Sequence, residues 1–398
     1  MGRLGCVAFG GPVAHLAHFQ RELVERRRWI EEREYADLIA FCQFLPGPAS
    51  SQVGMGLGLM RAGLPGMFAA WIAFSAPSVL ALLLLAAGLG SLTGGTDGWL
   101  PGLLCGVVAV VAEAVWKMAK KLCPGPRHMT LAVAGATVML VSPLATTQLA
   151  VIGAGALGGL LWLERPAADA SDTPPQRLSR STMAFGWAVL AFAVALPIAW
   201  SQLSGGGSAG PATAPHVYAA FAQTGTLVFG GGHVVLPMLQ AEVVNPGWMT
   251  DAQFLTGYGV TQAMPGPIFT LSSYLGAVVG QNADPTWPSF LTMASAALFG
   301  IFAPSFGFVA ALLPLWHRMR ASTRARQALQ GINATVVGLL LAALYNPVWT
   351  KAIHGDQAPT YVAIAAVSWL LLVVWQRPAW IVLMVAALAG AATSALGV

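Results

Sequence analysis

Two Pro-Gly-Pro triplets, Pro46-Gly47-Pro48 and Pro265-Gly266-Pro267, each stand three residues after a glutamine, Gln43 and Gln262. Neutral hydrogen-bonding side chains follow each one: Ser50, Ser51 and Gln52 after the first, Thr270, Ser272 and Ser273 after the second. Upstream of each triplet is a glycine cluster, Gly10-Gly11 and Gly230-Gly231-Gly232. These strings break helices, because proline removes an N–H and clashes with the preceding turn while glycine admits backbone angles that other residues avoid. A half-helix starting at such a break carries free N–H groups and roughly half a positive charge at its N-terminus, a ready site for an anion. Hydroxyls and amides add donors without a full charge, which suits an oxyanion that must both bind and leave. The plainer alternative is that glycine allows close helix packing and serine caps a helix.

Groups able to carry a proton lie close to the same strings. His15 and His18 follow the first glycine cluster and His233 the second, and any of them could donate to an anion or simply hold a helix break by hydrogen bonds. Glu22 and Glu242 form an aligned pair; a carboxylate there could couple transport to protons, although the arginines beside Glu22 suit an interfacial ion pair. Glu113 sits inside an apolar segment four residues before Lys117, the spacing of a helical ion pair. Neither an HExxH string nor a GxxxxGK[ST] loop occurs, so a membrane-embedded metalloenzyme and an ATP-driven pump are both disfavoured. The four cysteines, Cys6, Cys42, Cys105 and Cys123, have no CxxC spacing. No metal and no cofactor is expected.

The elements that position these residues must lie in a membrane. The chain has 398 residues, of which 56% are hydrophobic and only 9% charged, whereas a soluble domain is about 25% charged. Apolar stretches long enough for a bilayer of roughly 30 Å recur throughout. They fall at about 64–88, 100–116, 129–142 and 146–163, then at 287–315, 327–345, 360–375 and 379–397, with one unmatched stretch, Phe185 to Leu203, between the two sets. The basic residues sit in short loops, where they report topology rather than nucleic-acid binding. Trp99, Trp248 and Trp349 stand at segment ends, as interfacial anchors do.

The two sets are repeats of one another. Phe9-Gly10-Gly11, Gln20 and Glu22 recur as Phe229-Gly230-Gly231, Gln240 and Glu242, a shift of 220. Trp29, Gln43 and Pro46-Gly47-Pro48 recur as Trp248, Gln262 and Pro265-Gly266-Pro267 at 219, and Ala76-Pro77-Ser78 matches Ala303-Pro304-Ser305. Arg21, Arg26, Arg27, Arg28 and Arg33 fill a loop whose counterpart, Val243 to Asp251, has no basic residue. Leu89 to Trp99 likewise has none, against Arg318, Arg320, Arg324 and Arg326 in its counterpart. Each basic loop thus matches a poor one, the pattern of two halves inserted in opposite directions.

The expected fold is therefore an all-α polytopic membrane protein of two inverted-topology repeats. Residues 1–164 form the first, residues 165–213 a polar linker plus one linking transmembrane helix, and residues 214–398 the second. Each repeat is expected to hold two re-entrant helical hairpins, broken at the glycine and proline strings, plus four spanning helices. The amino terminus lies inside and the carboxyl terminus outside. The leading arm, only eight residues before Phe9, is short beside its counterpart.

Phe9-Gly10-Gly11-Pro12 with Arg26-Arg27-Arg28-Trp29, then Cys42 through Gln52, resemble the first-half signature of the chromate ion transporter family. Phe229 through Pro237 and Gln262 through Pro267 are similar to its second-half signature. The resemblance covers essentially the whole chain in the long two-domain form. It implies a multi-pass inner-membrane secondary transporter that exports chromate and confers resistance, with sulfate as competitor or alternative substrate. The coupling ion, whether a proton or a counter-anion, is left open, as is self-association into a homodimer.

Overall fold

The computed structural model describes residues 1–8, 11–89, 99–142, 145–164, 178–203, 211–229, 235–316, 322–355 and 357–396. Among the described residues every regular element is helical. The first half runs α1 (Gly2–Val7), α2 (Gly11–Phe19), a π-turn (Gln20–Arg26), α3 (Glu32–Phe44), α4 (Ala49–Leu89), α5 (Trp99–Leu122), α6 (Pro126–Val141) and α7 (Ala145–Trp162). After α8 (Arg180–Leu203) the second half runs α9 (Ala214–Leu227), α10 (Val235–Val243), α11 (Asp251–Ala263), α12 (Leu271–Ala283) and α13 (Trp287–Leu312). It continues with α14 (Thr323–Ala343), α15 (Ala358–Trp369) and α16 (Ala379–Leu396). The expected linking helix is α8, and most of the polar linker, residues 165–177, falls outside the described residues.

The chain is an all-α polytopic membrane protein. Among the described residues, five helices are long and apolar enough to cross a bilayer: Ala49–Gly88, Trp99–Leu122, Arg180–Trp200, Trp287–Leu315 and Thr323–Ala352. Three further apolar helices, Thr147–Trp162, Ala358–Val374 and Ala379–Ala395, are shorter. Large apolar side chains lie exposed on the outer faces, among them Leu84, Val141, Leu161, Phe192 and Leu388. Lipid is the medium that accommodates such a surface.

α4 is two helices in sequence. At Ala62 the dihedrals are φ −142°, ψ 21°, and at Gly63 φ 63°, ψ −154°. Residues 58 and 66 of a straight helix would stand about 12 Å apart at 1.5 Å per residue. Instead, a Cβ built on Gly58 would collide with the Gly66 carbonyl and lie 2.9 Å from the Ala70 Cβ, so the chain doubles back at Gly63. The second half makes the same reversal between α12 and α13, where Gly280 abuts Ser289. The long straight portion of α4 is therefore residues 64–89, close to the apolar stretch expected at 64–88.

Beyond these hairpins the halves exchange helices. α14 of the second half packs on α6 and α7 of the first, while α5 of the first packs on α15 and α16 of the second. Small residues permit the close approach. A Cβ on Gly331 of α14 would fall on the Gly155 carbonyl of α7, and one on Gly102 of α5 would fall on the Ala386 carbonyl of α16. A large buried core results, with members from Leu4 to Ala386, and a small second cluster of Cys123, Ala132, Ala334 and Val337 seals α6 against α14.

Gly331→Ala is expected to destabilise the protein by about 1–3 kcal/mol, the usual cost of overpacking. The control is Gly153→Ala on α7, where an added Cβ meets nothing within 4 Å. Thermal unfolding followed by size-exclusion chromatography should show a lower midpoint for the first variant only. Equal midpoints would refute the exchanged packing.

Candidate functional site

Each Pro-Gly-Pro triplet is a sharp corner between two short helices. Gly47 has φ +112° and Gly266 φ +108°, backbone that only glycine adopts without strain. The arms on either side, α3 and residues 49–61 of α4 in one case, α11 and α12 in the other, span 13 residues each, about 20 Å. That is short of the roughly 30 Å of a bilayer core.

The two ends of each hairpin meet. Arg61 donates to the Trp29 carbonyl at 3.3 Å and its guanidinium lies 4.6 Å from the Trp29 ring centroid, joining exit to entry in the first half. Asn282 donates to the Trp248 carbonyl at 2.9 Å and does the same in the second. Trp29 and Trp248 are the aligned tryptophans of the repeat, so one carbonyl closes each hairpin.

The corners are seated on the opposite half. The Gly47 N–H donates to the Val228 carbonyl at 2.6 Å, and the Gly266 N–H to the Ala8 carbonyl at 3.0 Å. Ala8 and Val228 immediately precede the aligned Phe9 and Phe229, so the two bonds correspond under the sequence repeat. The serines of the Ala-Pro-Ser strings complete the seats: a Cβ on Gly47 would lie 2.7 Å from Ser305 Oγ, and one on Gly266 2.7 Å from Ser78 Oγ. Sequence reasoning found these serines as repeat markers without giving them a role.

The side chains around this frame are not symmetric. In the first half, Ser50, Ser51 and Gln52 are buried in the opening turn of α4. Gln52 Nε2 donates to the Pro46 carbonyl at 2.6 Å and to Ser305 Oγ at 3.1 Å, which leaves Oε1 on the other side of the amide. Among the described residues, Gln52 Oε1, Ser51 Oγ and Ser75 Oγ are buried without a hydrogen-bond partner. His15 is buried on α2, with Nε2 3.0 Å from the Ala8 carbonyl and Nδ1 3.2 Å from Ser50 Oγ. In the second half the hydroxyls point back at their own helix: Thr270 donates to the Pro267 carbonyl at 2.7 Å, Ser272 to Phe269 at 2.8 Å and Ser273 to Thr270 at 2.7 Å. Gln262 is half-buried and hydrogen-bonded to Tyr258, while Gln43 is exposed on the last turn of α3.

Of the glycine clusters, Gly11 opens α2. Gly10, Gly230, Gly231, Gly232 and His233 lie outside the described residues. The acids are engaged by neighbours. Glu22 pairs with Arg27 at 2.7 Å and Arg26 at 3.1 Å, and these guanidinium groups, Arg27 foremost, hold its carboxyl below the usual range. Glu113 pairs with Lys117 at 2.5 Å, and Glu242 accepts from Gln223 at 3.3 Å across the α9–α10 hairpin. Two carboxylates were not singled out from sequence: Asp37 on α3 accepts from the Trp316 indole at 3.1 Å, and Asp251 pairs with Lys351 at 3.0 Å. Asp37 has no acidic counterpart in the second half, whereas Asp251 aligns with Glu32, and the aligned Gln20 and Gln240 donate to Glu32 and Asp251 at 3.3 and 2.9 Å.

A cavity of about 610 Å³ opens beside the second hairpin, between Trp99 and Trp287, with Gln253, Thr256, Gln281 and Asn282 in its wall. Its lining holds neutral amides, hydroxyls and aromatic rings, and none of its described lining residues is charged.

The profile of the chromate transporters matches residues 1–160 and 216–391. A chromate transport protein of Pseudomonas aeruginosa is 27% identical over 401 aligned positions, covering 98% of this chain and 89% of the relative. Another from Cupriavidus metallidurans is 27% identical over 380, covering 93% and 86%. A shorter relative, the uncharacterized transporter YwrA of Bacillus subtilis, is 29% identical over 144 positions, which is 36% of this chain and 74% of that one. No solved structure matches the chain. With both halves matched and full-length relatives named for chromate transport, this multi-pass membrane protein belongs to the chromate transporter family.

Proposed function

We propose that the chain exports chromate from the cytoplasm across the inner membrane and so confers chromate resistance. The carrying observation is the pair of corners seated across the halves beside the buried, unpartnered Ser51 hydroxyl, which can donate to an oxyanion. The opening turn of α4 offers free N–H groups, the positive end of a helix dipole and neutral side chains, which together suit a tetrahedral dianion. The chain carries no nucleotide-binding loop, so transport draws on an ion gradient or on exchange.

The two halves lie in opposite orientation, each with two re-entrant hairpins, the amino terminus inside and the carboxyl terminus outside. Because α5 and α14 pack on helices of the opposite half, the bodies that move against each other around the corners draw helices from both halves. The uncharged cavity beside the second hairpin serves the outer side, where a dianion leaving the site meets no fixed cation to hold it. The site residues are weighted toward the first half, because the hydroxyls of Thr270, Ser272 and Ser273 already donate to their own backbone.

Cells expressing the protein should accumulate several-fold less chromate than cells without it, and excess sulfate should reduce the difference if sulfate shares the site. Equal accumulation would refute chromate export. Gly266→Ala places a Cβ 2.7 Å from Ser78 Oγ on a backbone at φ +108°, so transport should fall at least tenfold while membrane insertion persists. Adding Ser78→Ala relieves the collision without curing the backbone strain, and should restore part of the loss. Undiminished resistance in Gly266→Ala would remove the corner from the site.

A further inference from the structure

We propose that His15 is the point at which a proton enters the transport cycle, and that the Ser50 hydroxyl couples that proton to the anion. The inference rests on the reading above, in which the opening turn of α4 receives the oxyanion.

The argument begins with what each atom can do. The Ala8 carbonyl can only accept, so His15 Nε2, 3.0 Å away, carries a hydrogen in either charge state. In the neutral ring Nδ1 is therefore the bare nitrogen, and it accepts the Ser50 O–H across 3.2 Å. In that state the one hydrogen of Ser50 is aimed at imidazole and is denied to an anion. When a proton binds, an Nδ1–H bond forms and the direction of the hydrogen bond reverses. Ser50 Oγ becomes the acceptor, keeps its own hydrogen and can turn it toward the free N–H groups of the α4 N-terminus. The site gains one donor and one positive charge in the same step, and loses both when the proton departs. Anion binding and protonation then favour each other reciprocally, as any two linked binding events must.

The surroundings isolate this pair. His15 is 2% exposed and packs edge-on to the Phe74 ring at 5.4 Å. On its own helix, His18 is the titratable group that acts on it electrostatically. The one charged residue of α4, Arg61, is engaged at Trp29. α1 brings Arg3, the exposed Cys6 and the amino group of Met1. The π-turn after α2 brings Arg21, Glu22, Glu25 and Arg26, with Glu22 held by Arg26 and Arg27. The Ala8 carbonyl that orients His15 also accepts the Gly266 N–H, so the proton site touches the seat of the opposite corner. The aligned positions in the second half are Val235 and Phe269, which cannot reproduce the pair.

The test uses purified full-length protein in weakly buffered liposomes, with chromate as the probe and a trapped pH indicator, against protein-free liposomes. Wild-type protein should take up a proton with each anion, and its chromate exchange should depend steeply on pH. His15→Gln, which can still donate to the Ala8 carbonyl, should lose the proton uptake, flatten the pH profile and bind chromate about tenfold more weakly at acid pH, within the usual range of coupling between sites. Ser50→Ala retains the imidazole and should also flatten the profile, so the proposal can be judged even if His15→Gln fails to fold. Proton-independent chromate flux in the wild type would overturn the proposal and leave oxyanion transport standing, as would an unaltered pH profile in either variant. Wild-type protein that moves no chromate would overturn both.

Discussion

A helix broken inside a membrane leaves backbone donors with no water to satisfy them, and each unsatisfied group costs several kcal/mol. The fold is organised around this constraint. The N–H groups of Gly47 and Gly266 find carbonyls, but those carbonyls belong to Val228 and Ala8 in the opposite half. Neither half can close its own break, so the halves are bound together where the chain is least regular. The exchange of α5 and α14 onto the terminal helices of the other half extends the same dependence across the molecule.

Symmetric support does not require symmetric chemistry. The backbone seats, the serines at 78 and 305 and the tryptophan carbonyls at 29 and 248 all come in corresponding pairs. The polar side chains beside them do not. Ser50 and Gln52 align with Phe269 and Leu271, and the second-half hydroxyls donate inward to their own helix. The repeat thus builds a two-sided frame whose polar side chains are arranged differently on its two sides.

Much of this was legible in the sequence because it rested on local rules. Proline and glycine fix where helices break, and the apolar stretches locate the long helices and α8. The ends of each hairpin meet at the Trp29 and Trp248 carbonyls, the aligned tryptophans of the repeat. The partners of the breaks were not legible. Any residue supplies a carbonyl, so nothing in the types of Ala8 and Val228 marks them as acceptors. The direction of a hydroxyl is equally hidden: Ser51 and Thr270 occupy aligned positions, yet one is unpartnered and the other donates to Pro267. Gln43 and Gln262 share a motif, yet one is exposed and the other bonded to Tyr258. The exchanged packing did leave a trace in Gly155 and Gly159, a small-residue spacing suited to close helix contact.

The closeness of the seats bears on how an anion could enter. A single added carbon on Gly47 would meet Ser305 Oγ and Gln52 Nε2, both at 2.7 Å, so this corner has no spare volume when seated. The groups that hold it closed are hydrogen-bond donors: Gln52 Nε2 bridges Pro46 and Ser305 across the halves. An oxyanion lodged there has to draw the same donors to itself, and in doing so it removes the contacts that press the halves together. A ligand shifts a conformational equilibrium only through interactions that differ between the states. The donors that close the corner, Gln52 Nε2 and the Gly47 N–H, are of the kind that the proposed anion would claim.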